Sequence, residues 1–187
     1  MVMRDSRPNE CGIGLIEVLI TMVILAVGLL GVMALQAKLQ ESEMESYQRS
    51  QALILLDDMA SRLAANRNAA SSYVTGSSSP LGAGSDCPTG TSTQQEVDES
   101  EWCEALQGVG ELNGSSRVGA MVGGRGCVES IGSNQYLITV AWQGVAPLVA
   151  PPAGIACAKN AYDQAGSACA NDLCRRVVTT IVRVAPL

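Results

Sequence analysis

The longest apolar stretch of the chain lies near its start. Residues 18–35 carry no charge (VLITMVILAVGLLGVMAL), and Glu17 is the carboxylate that directly precedes them. A run of this length is close to what a helix needs to cross the hydrocarbon core of a bilayer. The pattern therefore predicts a membrane-spanning helix, and an ionisable group at the edge of such a segment is a candidate for a functional role.

Beyond residue 35 the pattern becomes amphipathic without a break. No Pro occurs between Pro8 and Pro80, and polar residues such as Gln48 lie largely away from one apolar stripe. Apolar residues recur there at three- and four-residue spacing: Ala52, Leu55, Leu56, Met59 and Leu63. The sequence predicts one long helix from Ile13 to about Arg67, whose second half packs its stripe on a soluble domain.

The remaining chain alternates loops with short regular segments. Residues 69–95 are rich in Ser, Gly and Thr and predict a long loop. Residues 96–106 predict a short helix, and Gly123 to Gly126 (GGRG) predict a turn. Segments rich in β-branched and aromatic residues predict three strands: 128–131, 135–143 and 175–184. The order of elements predicts an α+β fold with a small antiparallel sheet laid against the long helix.

Composition argues against several functions. The formal net charge is −6, so the chain has no electrostatic footprint for nucleic acid. It has no His, no GxSxG motif and no phosphate-binding loop, which predicts a structural component rather than an enzyme, with no cofactor. Asp163 and Asp172 border a loop, but two carboxylates supply too few oxygens for calcium, so no metal site is expected.

Cysteine usage indicates an exported domain. Cys11 is one of seven cysteines, and the others form an even set: Cys87, Cys103, Cys127, Cys157, Cys169 and Cys174. An even number in a small exported domain indicates disulfides. The absence of CxxC pairs and of His disfavours a zinc site. Six cysteines allow fifteen pairings, and spacing alone does not select one.

The residues from Gly12 to Glu17 (GIGLIE), followed by the apolar run, resemble the class III signal peptide of type IV prepilins. The resemblance implies that prepilin peptidase cuts between Gly12 and Ile13 and that Ile13 is N-methylated. Glu17 is then the fifth residue of the mature chain and acts in subunit assembly. The usual first residue of the family is Phe, and major pilins carry a mid-helix Pro that is absent here. A plain signal anchor or a cleaved signal peptide is the alternative, but no small-x-small site follows the run.

This processing would divide the chain into three parts. Residues 1–12 are the leader, residues 13–36 are the transmembrane and assembly half of the helix, and residues 37–187 form a periplasmic pilin-like domain. Arg4 and Arg7 precede the apolar run, which favours a cytoplasmic N-terminus. The expected location is the inner membrane, with a single pass and a periplasmic C-terminal domain, and then the pilus.

Later segments resemble the PilV-type minor pilins, or type IV pilus modification proteins. The resemblance lies in Trp102 to Leu106 (WCEAL), the segment around Cys127, Leu137 to Gly144 (LITVAWQG), and Cys174 to Arg176. It implies a minor subunit that primes and builds the pilus at or near its tip and supports twitching motility and cell adhesion. The implied partners are other minor pilins, the major pilin and a tip adhesin. A minor pseudopilin of type II secretion is the alternative, followed by a membrane-anchored periplasmic enzyme.

The same resemblance contributes to an expected disulfide pattern. Two pairs are expected: Cys87–Cys103 and Cys157–Cys174. The first would pin the Ser/Gly-rich loop to the short helix, and the second would close the long loop onto the last strand. Cys127 and Cys169 are left to pair with each other if geometry allows, and a shifted pairing of Cys169 with Cys174 remains open.

Overall fold

The long helix predicted from the sequence is present. The computed structural model describes residues 14–109, 112–113, 116–117 and 121–185, which divide into two compact units after Ser42. Helix α1 runs over Leu15–Ala65, 51 residues in all, because no Pro or loop-forming cluster interrupts it. A 3₁₀ helix over Arg67–Tyr73 follows, in a region that the composition had assigned to a loop.

Two further elements precede the main sheet. Strand β1 covers only Leu81–Gly82, and helix α2 covers Gln94–Leu106. Thr93 caps α2 because its Oγ1 accepts from the Glu96 N–H at 3.3 Å, while the Glu96 carboxylate accepts from the Thr93 N–H at 3.3 Å. This reciprocal cap explains why the helix begins at Gln94, two residues before the predicted start at Glu96.

The rest of the chain forms two antiparallel sheets. The strands, in order, are β2 (Leu112–Asn113), β3 (Ser116–Arg117), β4 (Arg125–Gly132), β5 (Gln135–Gln143) and β6 (Arg175–Arg183). Strands β2 and β3 pair with each other, and the larger sheet has the order β1-β4-β5-β6. A long helix with a small antiparallel sheet confirms the predicted α+β, pilin-like fold.

Strand β4 begins earlier than the sequence indicated. Arg125 and Gly126, assigned to a turn, pair with Ala141 and Val140 of β5. A Cβ added at Gly126 would overlap the Trp102 indole, with Cζ2 at 2.7 Å. Glycine at this position therefore serves the close approach of α2 to the sheet rather than a change of chain direction.

The apolar stripe of α1 forms one wall of the core, and the indole of Trp102 is buried against it. Four predicted stripe residues are buried, with Leu55 packed partly against them: Ala52, Leu56, Met59 and Leu63. Trp102 Nε1 donates to the Leu55 carbonyl at 2.8 Å, which ties α2 to α1. Gln48, placed largely on the polar side by the pattern, is buried instead, and its Oε1 accepts from the Val122 N–H at 3.2 Å.

Candidate assembly site

The first half of α1 presents an apolar surface with no cover in the described structure. Every described residue from 14 to 40 is exposed, and Leu30 remains 66% exposed. Within the described residues, α1 is the one helix long and apolar enough to cross a membrane by length and composition. An apolar surface of this size requires lipid or neighbouring helices around it in the assembled protein.

Glu17 lies in the first turn of α1. Its N–H donates to the Gly14 carbonyl at 2.8 Å, and no described residue pairs with its carboxylate. The Thr21 hydroxyl donates to the Val18 carbonyl at 2.9 Å, so its polarity is satisfied within the helix. Gly12 and Ile13, the residues of the expected cleavage site, lie outside the described part of the chain.

Gly28 and Gly31 are two positions in the same helix at which no side chain projects. A Cβ added at either position would meet nothing within 4 Å. Small residues let another helix backbone approach closely. The two glycines therefore leave room for a neighbouring helix along the apolar half of α1.

A polar cluster joins α1, the 3₁₀ helix and α2 around Asp98. Asp98 accepts from the Tyr73 hydroxyl at 2.5 Å, from Arg62 Nη1 at 3.1 Å and from Gln94 Nε2 at 2.9 Å. Arg62 also bonds Glu101 at 2.6 Å and Asp58 at 3.0 Å, so one guanidinium connects three carboxylates. The cluster fixes how the two helices meet, which the sequence pattern did not reveal because Arg62 and Glu101 are 39 residues apart in sequence.

Burial and the hydrogen bonds of this cluster shift the pKa values of Tyr73 and Asp98. Burial raises the pKa of Tyr73 to about 12, and the hydrogen bond to Asp98 adds to the rise. Burial acts to raise the pKa of Asp98 as well, but hydrogen bonds from Tyr73, Gln94 and Arg62 outweigh it and lower the pKa below its ordinary value. Asp98 is therefore an ionised acceptor that stabilises the junction at neutral pH.

All six cysteines of the described domain form disulfides. The pairs are Cys87–Cys103, Cys127–Cys157 and Cys169–Cys174. The expected Cys87–Cys103 pair is present, so the Ser/Gly-rich loop is held on α2. The expected Cys157–Cys174 pair is wrong, and Cys169 pairs with Cys174 in the shifted arrangement that the sequence left open.

Strand geometry explains the corrected pairing. Val128 packs in the main core, so its neighbour Cys127 points to the opposite face of the sheet. The loop of residues 154–174 covers that face and places Cys157 Sγ 3.9 Å from the carbonyl oxygen of Thr139, which lies opposite Cys127 in β5. Cys174 lies one residue before β6 and is bonded to Cys169, five residues earlier.

Arg175 stabilises the same loop through buried hydrogen bonds. Its side chain is 1% exposed and donates to the carbonyls of Ile155 and Cys157 at 2.9 and 3.0 Å. Its Nη2 also bonds the Asp172 carboxylate at 3.0 Å. A buried guanidinium with these partners organises the loop backbone, and no periodic pattern predicts this role because Arg175 begins a strand.

The two loop acids are engaged in the fold. Asp172 accepts from the Asn160 N–H at 2.7 Å in addition to Arg175. Asp163 accepts from the N–H groups of Asn171 and Asp172 at 3.1 and 2.8 Å. Their oxygens shape turns in the loop, and no group of potential metal-binding residues is found in the described part of the chain.

Comparison with known families agrees with the geometry of the helix and the domain. Residues 34–108 match the family described as Type IV pilin Tt1218, and residues 7–33 match the prokaryotic N-terminal methylation motif. No curated protein and no solved structure matches the chain. The two family matches support a type IV pilin with an N-terminal methylation motif, and thus a subunit of a pilus or pseudopilus.

Proposed function

We propose that the chain is a minor pilin of the PilV type, which joins other minor pilins and the major pilin in a complex that primes and builds the type IV pilus. The complex stands at or near the tip and supports twitching motility and surface attachment, with a tip adhesin as a further partner. The observation that carries the proposal is the exposed apolar half of α1, with Glu17 in its first turn. Type IV pilins are structural subunits, and the proposed role requires no catalysis.

Processing prepares the helix for assembly. Prepilin peptidase removes residues 1–12 by cutting between Gly12 and Ile13, and Ile13 is then N-methylated. Residues 13–36 hold the protein in the inner membrane, and residues 37–187 lie in the periplasm. The three disulfides of the domain suit an oxidising compartment of this kind.

Assembly exchanges lipid for protein around α1. In the filament, helices of neighbouring subunits pack against the apolar surface that the bilayer covered before. A lone carboxylate in such a bundle costs several kcal/mol. The cationic N-terminus at Ile13 of an adjacent subunit offsets that cost when it meets Glu17, so the pair sets the axial register of the incoming subunit.

A minor pseudopilin of type II secretion is the second candidate, because it would share the leader, Glu17 and the helix. The long loops and the six paired cysteines of the domain favour the pilus. A gene deletion separates the two roles. Loss of twitching with intact secretion supports the pilin, whereas blocked secretion with intact twitching supports the pseudopilin.

The assembly role is tested by Glu17→Ala with Glu43→Ala as the matched control, since Glu43 is an exposed acid of the same helix beyond the apolar run. We expect both variants in the membrane fraction. Glu17→Ala should fall about tenfold or more in sheared filaments, because a lost pairing of ~1.4 kcal/mol changes an equilibrium constant tenfold. Mass spectrometry should find a methylated N-terminus at Ile13 in all forms.

Two results would contradict the proposal. Equal recovery of Glu17→Ala and Glu43→Ala in filaments would show that the carboxylate does not register subunits. An uncut chain, or a cut after residue 35, would remove the prepilin processing on which assembly depends.

A further inference from the structure

Strand β6 is the long free edge of the main sheet. Its register with β5 is unbroken from Arg175, opposite Gln143, to Arg183, opposite Gln135. No strand in the described part of the chain pairs with its other side. The opposite edge of the sheet is β1, which is only two residues long.

The hydrogen bonds at the ends of the β5–β6 ladder show which groups face outward. The Gly144 N–H donates to the Cys174 carbonyl at 2.8 Å, and the Val184 N–H donates to the Asn134 carbonyl at 2.9 Å. Because bonded and non-bonded pairs alternate in an antiparallel ladder, the even-numbered residues of β6 bond β5. The odd-numbered residues direct their N–H and C=O groups away from the sheet.

In the described part of the chain, few of these outward groups have a hydrogen-bond partner. The Arg175 N–H donates to the Asp172 carbonyl at 3.0 Å, where the loop begins. The other four odd-numbered residues, here called the free edge, have no hydrogen-bond partner for these groups among the described residues: Val177, Thr179, Ile181 and Arg183. The free edge therefore offers a row of donors and acceptors about one short strand in length.

Natural sheets protect long edges with charged side chains, Pro, bulges or very short strands. Strand β6 (RRVVTTIVR) contains no Pro, its three Arg lie at its two ends, and residues 177–182 between them are all β-branched. A register irregularity occurs between β4 and β5, but none is found between β5 and β6. An unprotected edge with high β-propensity is the arrangement that proteins use to accept an added strand.

We propose that the free edge of β6 binds an extended segment of another protein as an additional strand. The exposed side chains beside it are Thr179, Ile181 and Arg183, and Arg183 forms no ion pair with a described residue. The bound segment is therefore expected to place small or apolar side chains beside Thr179 and Ile181. It should also carry an acidic residue opposite Arg183. A second copy of β6 fits less well because β6 contains three Arg and no acid. The inference holds for a pilus and a pseudopilus alike.

Amide hydrogen exchange of the full-length chain in detergent micelles tests the inference residue by residue. The probe is a synthetic nine-residue peptide with Glu at both ends and alternating Val and Thr between them. In the free chain, we expect fast exchange at the free edge and slow exchange at even-numbered residues of β6. The peptide should slow exchange at the free edge by about tenfold or more, because its main chain bonds those amides.

Two substitutions at Thr179 provide a disrupting variant and its matched control. Thr179→Pro removes an outward N–H without removing a bond to β5, so the even-numbered amides should stay protected while peptide binding is lost. Thr179→Ala retains the N–H and should bind as the natural chain does. A peptide with Lys in place of both Glu residues should bind about threefold or more weakly, since like charges face each other at Arg183.

Three outcomes would overturn the proposal. The free-edge amides could exchange unchanged in the presence of the peptide, or Thr179→Pro could bind it as well as Thr179→Ala. Protection of the free edge without peptide, rising with protein concentration, would show that a second copy occupies it.

Discussion

Replacing Asp98 with Ala should weaken the junction between α1 and α2. The Asp98 side chain is 5% exposed, and the Tyr73 hydroxyl that donates to it is buried. Leaving a buried hydroxyl without its acceptor costs about 1–3 kcal/mol. Arg62 retains Asp58 and Glu101 as partners. Loss of the Arg62–Asp98 ion pair therefore adds about 0–1 kcal/mol, as for partly exposed pairs. We expect the free energy of unfolding to fall by about 2–3 kcal/mol.

Thermal and urea unfolding of the oxidised protein measure this effect. For a domain of this size, the change corresponds to a fall in Tm of roughly 4–12 °C. Glu101→Gln is the control, because this carboxylate is 56% exposed and its removal should cost less than about 1 kcal/mol. In a double-mutant cycle, Tyr73→Phe should cost less when Asp98 is already Ala. Equal losses for the Asp98 and Glu101 variants, or additive losses for Asp98 and Tyr73, would refute the reasoning.

Two further predictions concern pH and the cross-links. The pKa of Asp98 is lowered on folding, so its contribution is present above the ordinary Asp value of about 3.9 and is lost as pH falls toward the folded value. Urea unfolding between pH 5 and 3 should show less loss for Asp98→Asn than for the natural chain, and equal slopes would contradict this. Chain entropy assigns about 3.5 kcal/mol to Cys127–Cys157 and about 2 kcal/mol to Cys169–Cys174, for sequence separations of 30 and 5. Paired Ser variants should follow that order in urea unfolding, and the reverse order would contradict it.

The parts of the fold that could be predicted are those with a local signal. Helix α1 has one because it contains no Pro over its 51 residues and changes from an apolar run to an amphipathic stripe. Strand β5 has one because β-branched and aromatic residues follow one another between turn residues. Strand β1 has none, since two residues are too short to show any period.

The missed features depend on residues that are distant in sequence. Asp98 meets Arg62 and Tyr73 only after α2 packs on α1, so no spacing within α2 reveals the cluster. Cys157 reaches Cys127 because a loop returns over the back of the sheet, a path that six cysteines with fifteen possible pairings do not specify. The buried role of Gln48 likewise depends on Val122, 74 residues later.

The two faces of the main sheet are stabilised by different means. The face toward α1 is covered by a continuous apolar core that includes Trp102. On the other face, the described residues form only a small apolar cluster of Ala141, Ala158 and Tyr162, with Val177 packed against it. Because that area is small, the hydrophobic contribution there is small, and Cys127–Cys157 and the buried Arg175 ion pair supply the remaining restraint. Reduction of the disulfides should therefore detach the loop of residues 154–174 from the sheet before it affects the packing of α1. The helix should remain packed against the core when the loop is released.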